Sequence, residues 1–133
     1  MDASPTAPDS LIEQLASQPA SEVVRRSSLQ DFLARHPRAL LFFTGNLAQN
    51  TEGRDVAIVV RELLRQYTGR IALGLVDRRD ETAVMAKTGV VVLPAVAFVA
   101  DGRTVDVVAR MRDWSAYARA AERLFAGGGD TST

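Results

Sequence analysis

Apolar residues recur along this chain with two different periods. Val56, Val59, Val60, Leu63, Leu64 and Tyr67 are spaced as one stripe of an α-helix. That spacing predicts a helix over 55–67, stopped by Gly69. Two shorter runs, Ala39-Leu40-Leu41-Phe42-Phe43-Thr44 and Ile71-Ala72-Leu73-Gly74-Leu75-Val76, are continuously apolar, as strands covered on both faces should be. A third run over 90–100 contains Pro94 and is closed by Asp101-Gly102, a hairpin signal leading to a strand over 104–109. Proline removes a ladder donor from a central strand. A cis bond at Leu93-Pro94, in a turn where the strand begins, accommodates it.

The remaining elements are helical. Ser10 and Glu13 have capping-box spacing and open a short helix through Leu15 to Ser17. Ser28 opens a second helix, with Leu29, Phe32 and Leu33 on one face and His36-Pro37 ending it. Asp80 caps a helix through Lys87, stopped by Gly89. The last helix starts near Asp113 and sets Trp114, Tyr117, Ala118, Ala121, Leu124 and Phe125 on one face. The order α-α-β-α-β-α-β-β-α implies a parallel first strand pair, joined by a right-handed crossover, and an antiparallel second pair. The fold class is α/β, with a central mixed sheet of about four to five strands flanked by helices on both faces. Residues 1–8 and 127–133 are polar, Gly/Pro/Ser/Thr-rich and expected to be disordered tails on a single domain over 9–126.

Composition narrows the chemistry. The chain has 133 residues, and its 16 basic and 16 acidic side chains cancel, so no global field recruits nucleic acid or an anionic membrane. It has no cysteine, which removes disulfides, thiol nucleophiles and Cys-ligated metal. The single histidine, His36, sits at a helix end where a partly cationic ring suits the dipole, and no metal site is expected around it. No apolar run is long enough to span a bilayer, and the N-terminus lacks the features of a signal peptide, so a cytoplasmic location and no membrane insertion are expected. Arg25-Arg26 resembles a twin-arginine export motif, but a charged amphipathic segment follows it. The pair is read as surface arginines before a helix.

Leu40-Leu41-Phe42-Phe43, Tyr67-Thr68-Gly69-Arg70-Ile71 and Gly89-Val90-Val91-Val92-Leu93-Pro94-Ala95 with Asp101-Gly102 make residues 26–126 similar to the thioredoxin superfamily. More narrowly, the chain resembles the HyaE/HupG family of hydrogenase expression/formation proteins. Phe42-Phe43-Thr44-Gly45-Asn46, the loop Asn50-Thr51-Glu52-Gly53-Arg54-Asp55-Val56, Val76-Asp77, Leu93-Pro94-Ala95 and above all Ala109-Arg110-Met111-Arg112-Asp113-Trp114 carry that likeness. The resemblance implies a thioredoxin-like domain without redox activity. It also implies a role in maturation of the small subunit of membrane-bound [NiFe] hydrogenase, whose precursor bears a twin-arginine signal peptide. The loop that holds the dithiol in catalytic thioredoxins contains no thiol here. Leu41 stands about where those enzymes keep a buried, proton-moving acid, a group that costs several kcal/mol when unpaired. Thiol–disulfide exchange is therefore excluded.

The candidate site is a rim. In this fold the residue before a cis-proline offers its backbone to an extended peptide, which singles out Leu93 and Pro94; otherwise Pro94 only shapes the start of a strand. Arg110, Met111 and Arg112 form the next loop, with charged arms around an adaptable apolar side chain, or an ordinary solvated turn. Glu52 and Asp77 could accept guanidinium groups of a twin-arginine peptide. Asp55, Asp80 and Asp113 are read as helix caps, and Trp114 as a residue packed on the sheet rather than an interface anchor. The expected protein is not an enzyme and needs no cofactor. Its expected partners are the hydrogenase small-subunit precursor and other hydrogenase assembly proteins, and a homodimer is allowed. The rival readings are a glutathione-transferase-like domain using Thr44 or Thr51, and a purely structural interaction module.

Overall fold

A computed structural model describes residues 8–129. Five helices, α1 (Pro8–Ala16), α2 (Leu29–Arg35), α3 (Glu52–Gln66), α4 (Glu81–Thr88) and α5 (Trp114–Gly129), surround five strands. The strands are β1 (Ser21–Val24), β2 (Arg38–Phe43), β3 (Ala72–Val76), β4 (Ala95–Ala100) and β5 (Arg103–Ala109), and they lie in the order β1-β3-β2-β4-β5. β1 and β2 pair parallel with β3, while β4 pairs antiparallel with β2 and β5.

Period-two alternation explains the two layers. Leu40 and Phe42 of β2, Leu73 and Leu75 of β3, and Val96 and Phe98 of β4 point to one side, onto Leu15, the α3 stripe and Tyr117, Ala120, Ala121 and Leu124 of α5. Ala39, Leu41 and Phe43 point to the other, with Ala97 and Val99, onto Leu29 and Phe32 of α2 and Val84 of α4. Burial on both faces is why β2, β3 and β4 are apolar throughout. Gly74 makes room on the second side: a Cβ there would lie 2.7 Å from Val24, 2.8 Å from Leu41 and 3.0 Å from Phe32.

Several expectations change. β1 is a fifth strand, and its Ser-Glu-Val-Val sequence carries too few apolar residues to announce itself. The run over 90–100 is not one strand, because β4 begins at Ala95, directly after the cis Leu93-Pro94 bond. α1 begins at Pro8, so Ser10 lies within it rather than capping it. α3 begins at Glu52 behind Thr51, so Asp55 is in its first turn and is not its cap. Ser28 flanks α2 as expected, yet its hydroxyl accepts from the Arg25 N–H at 2.9 Å instead of capping the helix. Trp114 is 39% exposed and, against expectation, is not part of the buried core; Tyr117 is the buried aromatic residue of α5. Most of the expected tails lies outside the described residues, and α5 runs through Gly129.

The hairpin is as the sequence predicts. Asp101 and Gly102 both have positive φ, 51° and 81°, the two-residue turn that matches the twist of paired strands. β5 is one of the sheet's two edges, and side chains of the strand and of the loop after it cover part of it. The Val107 N–H donates to Asp106 Oδ1 at 2.9 Å, and Arg112 Nε donates to the Ala109 C=O at 3.1 Å. Arg123 holds Asp106 at 2.6 Å. Charged groups placed this way discourage another strand from adding there.

Candidate functional site

The C-terminal ends of β1, β2, β3 and β5 and the start of β4 share one end of the sheet, so the loops carrying the predicted site residues form one rim. On its β5 side the loop after the strand is fixed at several points. The Arg110 N–H donates to the Pro94 C=O at 2.7 Å, and the Tyr117 hydroxyl donates to the Arg110 C=O at 2.8 Å. Burial pushes the Tyr117 hydroxyl pKa upward. Arg110 itself has a φ of 69°, an uncommon conformation for a side chain of its size. Its guanidinium pairs with Glu52 Oε1 (Nη2 at 2.8 Å, Nε at 2.9 Å), while Oε2 accepts the Met111 N–H at 2.7 Å. The Arg110 bond, and then the Met111 bond, hold the Glu52 carboxyl below its ordinary pKa. Glu52 thus staples α3 to the loop after β5.

Gly53 explains how α3 comes so close to the loop that precedes it. A Cβ at this position would lie 2.5 Å from the Thr44 carbonyl oxygen and 2.7 Å from Leu47. Gly45, with φ 69°, brings the same loop against Leu93, whose Cβ is 3.4 Å from where a Gly45 Cβ would stand. The Thr44 hydroxyl, the first candidate for activating an external thiol, is buried and donates to the Gly45 C=O at 2.9 Å.

The β3 side carries charges in a paired lattice. Asp77 accepts the Arg79 N–H at 2.9 Å and ion pairs with Arg79 at 3.1 Å and Arg25 at 3.2 Å. The Arg79 side chain, followed by its backbone N–H, holds the Asp77 carboxyl well below the usual carboxylate range. Asp80 flanks α4 as predicted, but its carboxylate accepts the Arg26 N–H at 2.8 Å rather than capping the helix. Of the arginine pair that resembles an export motif, Arg25 is therefore docked on an acid of this chain by its guanidinium and Arg26 by its backbone N–H alone. Glu81 is a functional candidate that pattern reading missed. Its side chain is 3% exposed, pairs with Arg78 at 2.6 Å and accepts the Gly45 N–H at 3.1 Å. A Glu opening a helix reads as an ordinary first-turn acid, so only the fold discloses its burial.

The candidate residues separate into two groups. Glu52 and Arg110 meet, with Met111 and Pro94 alongside. Asp77 directly follows β3, three strand positions from β5 in the sheet order, or roughly 14 Å across the ladder. Glu52 and Asp77 do not form a shared cradle, and each already binds arginine from this chain. Apolar residues left exposed include Val91 (83%), Val92 (41%), Met111 (42%) and Trp114. No described residue hydrogen-bonds to the backbone N–H or C=O of Val91, Val92 or Leu93. His36 ends α2 with its ring 4.8 Å from Phe32, a packing role. Among the described residues, no group of three or more His, Asp or Glu side chains is placed to hold a metal ion.

The fold and rim define a thioredoxin-like domain that has no thiol at the redox loop. A thioredoxin from Halobacterium salinarum superposes with a TM-score of 0.60 over 73% of this chain and 82% of its own, at 22% identity, a likeness of fold alone. The chain belongs to the HyaE family: the family model described as hydrogenase-1 expression protein HyaE matches residues 11–117. It is 35% identical over 114 residues to the hydrogenase expression/formation protein HupG of Rhizobium leguminosarum bv. viciae, covering 83% of this chain and 76% of that one. It is 33% identical over 118 residues to HoxO of Cupriavidus necator, covering 87% and 73%. The crystal structure of a hydrogenase expression/formation protein HupG from Rhodopseudomonas palustris matches with a TM-score of 0.55 and 33% identity, over 82% of this chain and 96% of that one.

Proposed function

We propose that this protein is a non-catalytic binding protein, or specialised chaperone, of the cytoplasm. It acts in hydrogenase expression and formation, the process named for its relatives, and holds the [NiFe] hydrogenase small-subunit precursor through the twin-arginine signal peptide. One observation carries the reading: Val91-Val92-Leu93 leads into Pro94 with the two valines exposed and its backbone groups unpaired among the described residues, beside a loop fixed by Glu52 and Tyr117. An extended peptide gains main-chain hydrogen bonds and side-chain pockets from such a segment. Binding of this kind requires no activated group, and the sequence contains no cysteine for thiol exchange.

Capture of small-subunit precursor by the purified protein, with and without the signal peptide, tests the proposal. Retention of the signal-bearing form alone is expected. Equal capture of both, or of neither, would favour a purely structural module.

A further inference from the structure

A peptide with a twin-arginine signal offers two kinds of chemistry, a guanidinium pair and an uncharged apolar stretch. The three acids best placed to receive the first are already engaged. Glu52 is held by Arg110 and the Met111 N–H, Asp77 by Arg25 and Arg79, and Asp80 by the Arg26 N–H. At Glu52 and Asp77 a guest arginine would have to displace a guanidinium that is covalently tethered beside its carboxylate, exchanging like for like, and at Asp80 it would compete with a backbone N–H. The remaining charged neighbours, Arg54 and Asp55 in α3 and Arg112 and Asp113 in the loop after β5, are all exposed and balance in sign. With Glu52 and Arg110 counted, the charges on this side of the rim cancel, three of each sign, while Val91, Val92, Met111 and Trp114 are exposed and no described residue pairs with the Val91–Leu93 backbone. The outer edge of β5 is partly covered by Asp106 and Arg112, which makes strand addition there less favourable.

From this we infer that the rim reads an extended, uncharged apolar segment of its client and does not read arginine. The inference rests on the function proposed above and assigns the chemistry of that same site. Balanced charge around the apolar patch fits an uncharged guest, because a charged guest residue would be desolvated there with no dedicated partner. The open N–H and C=O groups of Val91, Val92 and Leu93 pair with the guest's main chain, and the valines, Met111 and Trp114 cover its side chains.

The test uses the whole chain and three synthetic signal peptides from the small-subunit precursor, with affinity read by calorimetry or anisotropy. One peptide is native, one has its two arginines changed to glutamine, and one has its apolar stretch interrupted by two aspartates. The glutamine peptide is expected to bind within about twofold of the native one, and the interrupted peptide about tenfold or more weakly. A double variant, Val91→Asp with Val92→Asp, should weaken native-peptide binding by about the same factor, with an unchanged circular dichroism melt to show that it is folded. Loss of binding on removing the arginines overturns the inference while the proposed function stands, and Asp55→Asn with Asp113→Asn then identifies the acids responsible. No binding of any peptide, when the signal-bearing precursor is still captured, also overturns it. Failure to capture that precursor overturns both. If ultracentrifugation finds a homodimer that the Val91→Asp, Val92→Asp variant dissolves, the patch belongs to a second copy of this chain and the inference fails.

Discussion

The two halves of the rim are built from opposite materials. On the β1, β3 and α4 side, Arg25, Arg26, Asp77, Arg78, Arg79, Asp80 and Glu81 are tied together, in part through backbone N–H groups. On the β4, β5 and α5 side, Val91, Val92, Met111 and Trp114 are exposed, and the Val91–Leu93 backbone has no partner among the described residues. The difference separates what holds loops in place from what remains available. A charge at the mouth of a fold invites a functional reading, but here Asp77 is satisfied by Arg25 and Arg79 and Glu81 by Arg78, while Asp80 holds a backbone N–H. The residues with spare capacity are the apolar ones.

The strongest way to break this contrast is to show that the charged half is dispensable for folding. Arg78→Ala leaves the Glu81 carboxylate, 3% exposed, without its ion partner. Stability measured by urea unfolding should fall by roughly 3 kcal/mol, the lower end of the cost of an unpaired buried charge. Glu81→Gln should cost less, because Arg78 can turn to water and the amide oxygen still accepts from Gly45. The reverse ranking would mean that Glu81 is not held as an ion pair. Next in size is Gly74→Ala, where the new methyl meets Val24, Leu41 and Phe32 at 2.7–3.0 Å. A loss of about 1–3 kcal/mol is expected from overpacking. Hydrogen exchange should show β1 loosening first, since β1 has β3 as its single strand neighbour. Uniform loosening would refute that mode of damage.

Acid titration sharpens the same comparison with a smaller effect. Arg79 and Arg25 lower the folded-state pKa of Asp77, and Arg110 lowers that of Glu52. A carboxyl depressed by folding contributes stability above its unfolded pKa and loses it as pH falls toward the folded value. The melting-temperature gap between the native chain and Asp77→Asn should therefore be full at neutral pH and begin to close below about pH 4. Glu52→Gln should show the same sign. A gap that does not change with pH would mean that these pairs are not formed in solution.

The sequence discloses the halves unequally, for physical reasons. The α3 stripe, the apolar runs of β2 and β3 and the Asp101-Gly102 turn are local patterns, and each appears where its period puts it. Pro94 marks the rim because a proline inside an apolar run demands an explanation, and the bond is cis. Ion pairs have no such signature. Arg25 and Asp77 lie 52 residues apart, and Glu52 and Arg110 lie 58 apart, so either acid reads as a free ligand until the fold brings its partner in. β1 is missed because an edge strand of four residues needs little apolar surface. Trp114 is misjudged because a helical stripe gives a face but not how far along the helix the burial extends.

The most decisive experiment has the smallest expected effect on the fold. Val91 is 83% exposed and Arg25 is more than half exposed, so Val91→Asp and Arg25→Gln should each change stability by no more than about 0.5 kcal/mol. Their consequences for capture of the signal-bearing precursor should nevertheless diverge. Arg25 shares Asp77 with Arg79, so its loss leaves that acid occupied and the apolar half untouched, and capture should persist. Val91→Asp places a charge where an apolar guest must lie, and the guest brings nothing to pair with it, so capture should fail. If both variants capture the precursor equally, the exposed valines are incidental surface. If Arg25→Gln alone loses it, the charged half is the working one.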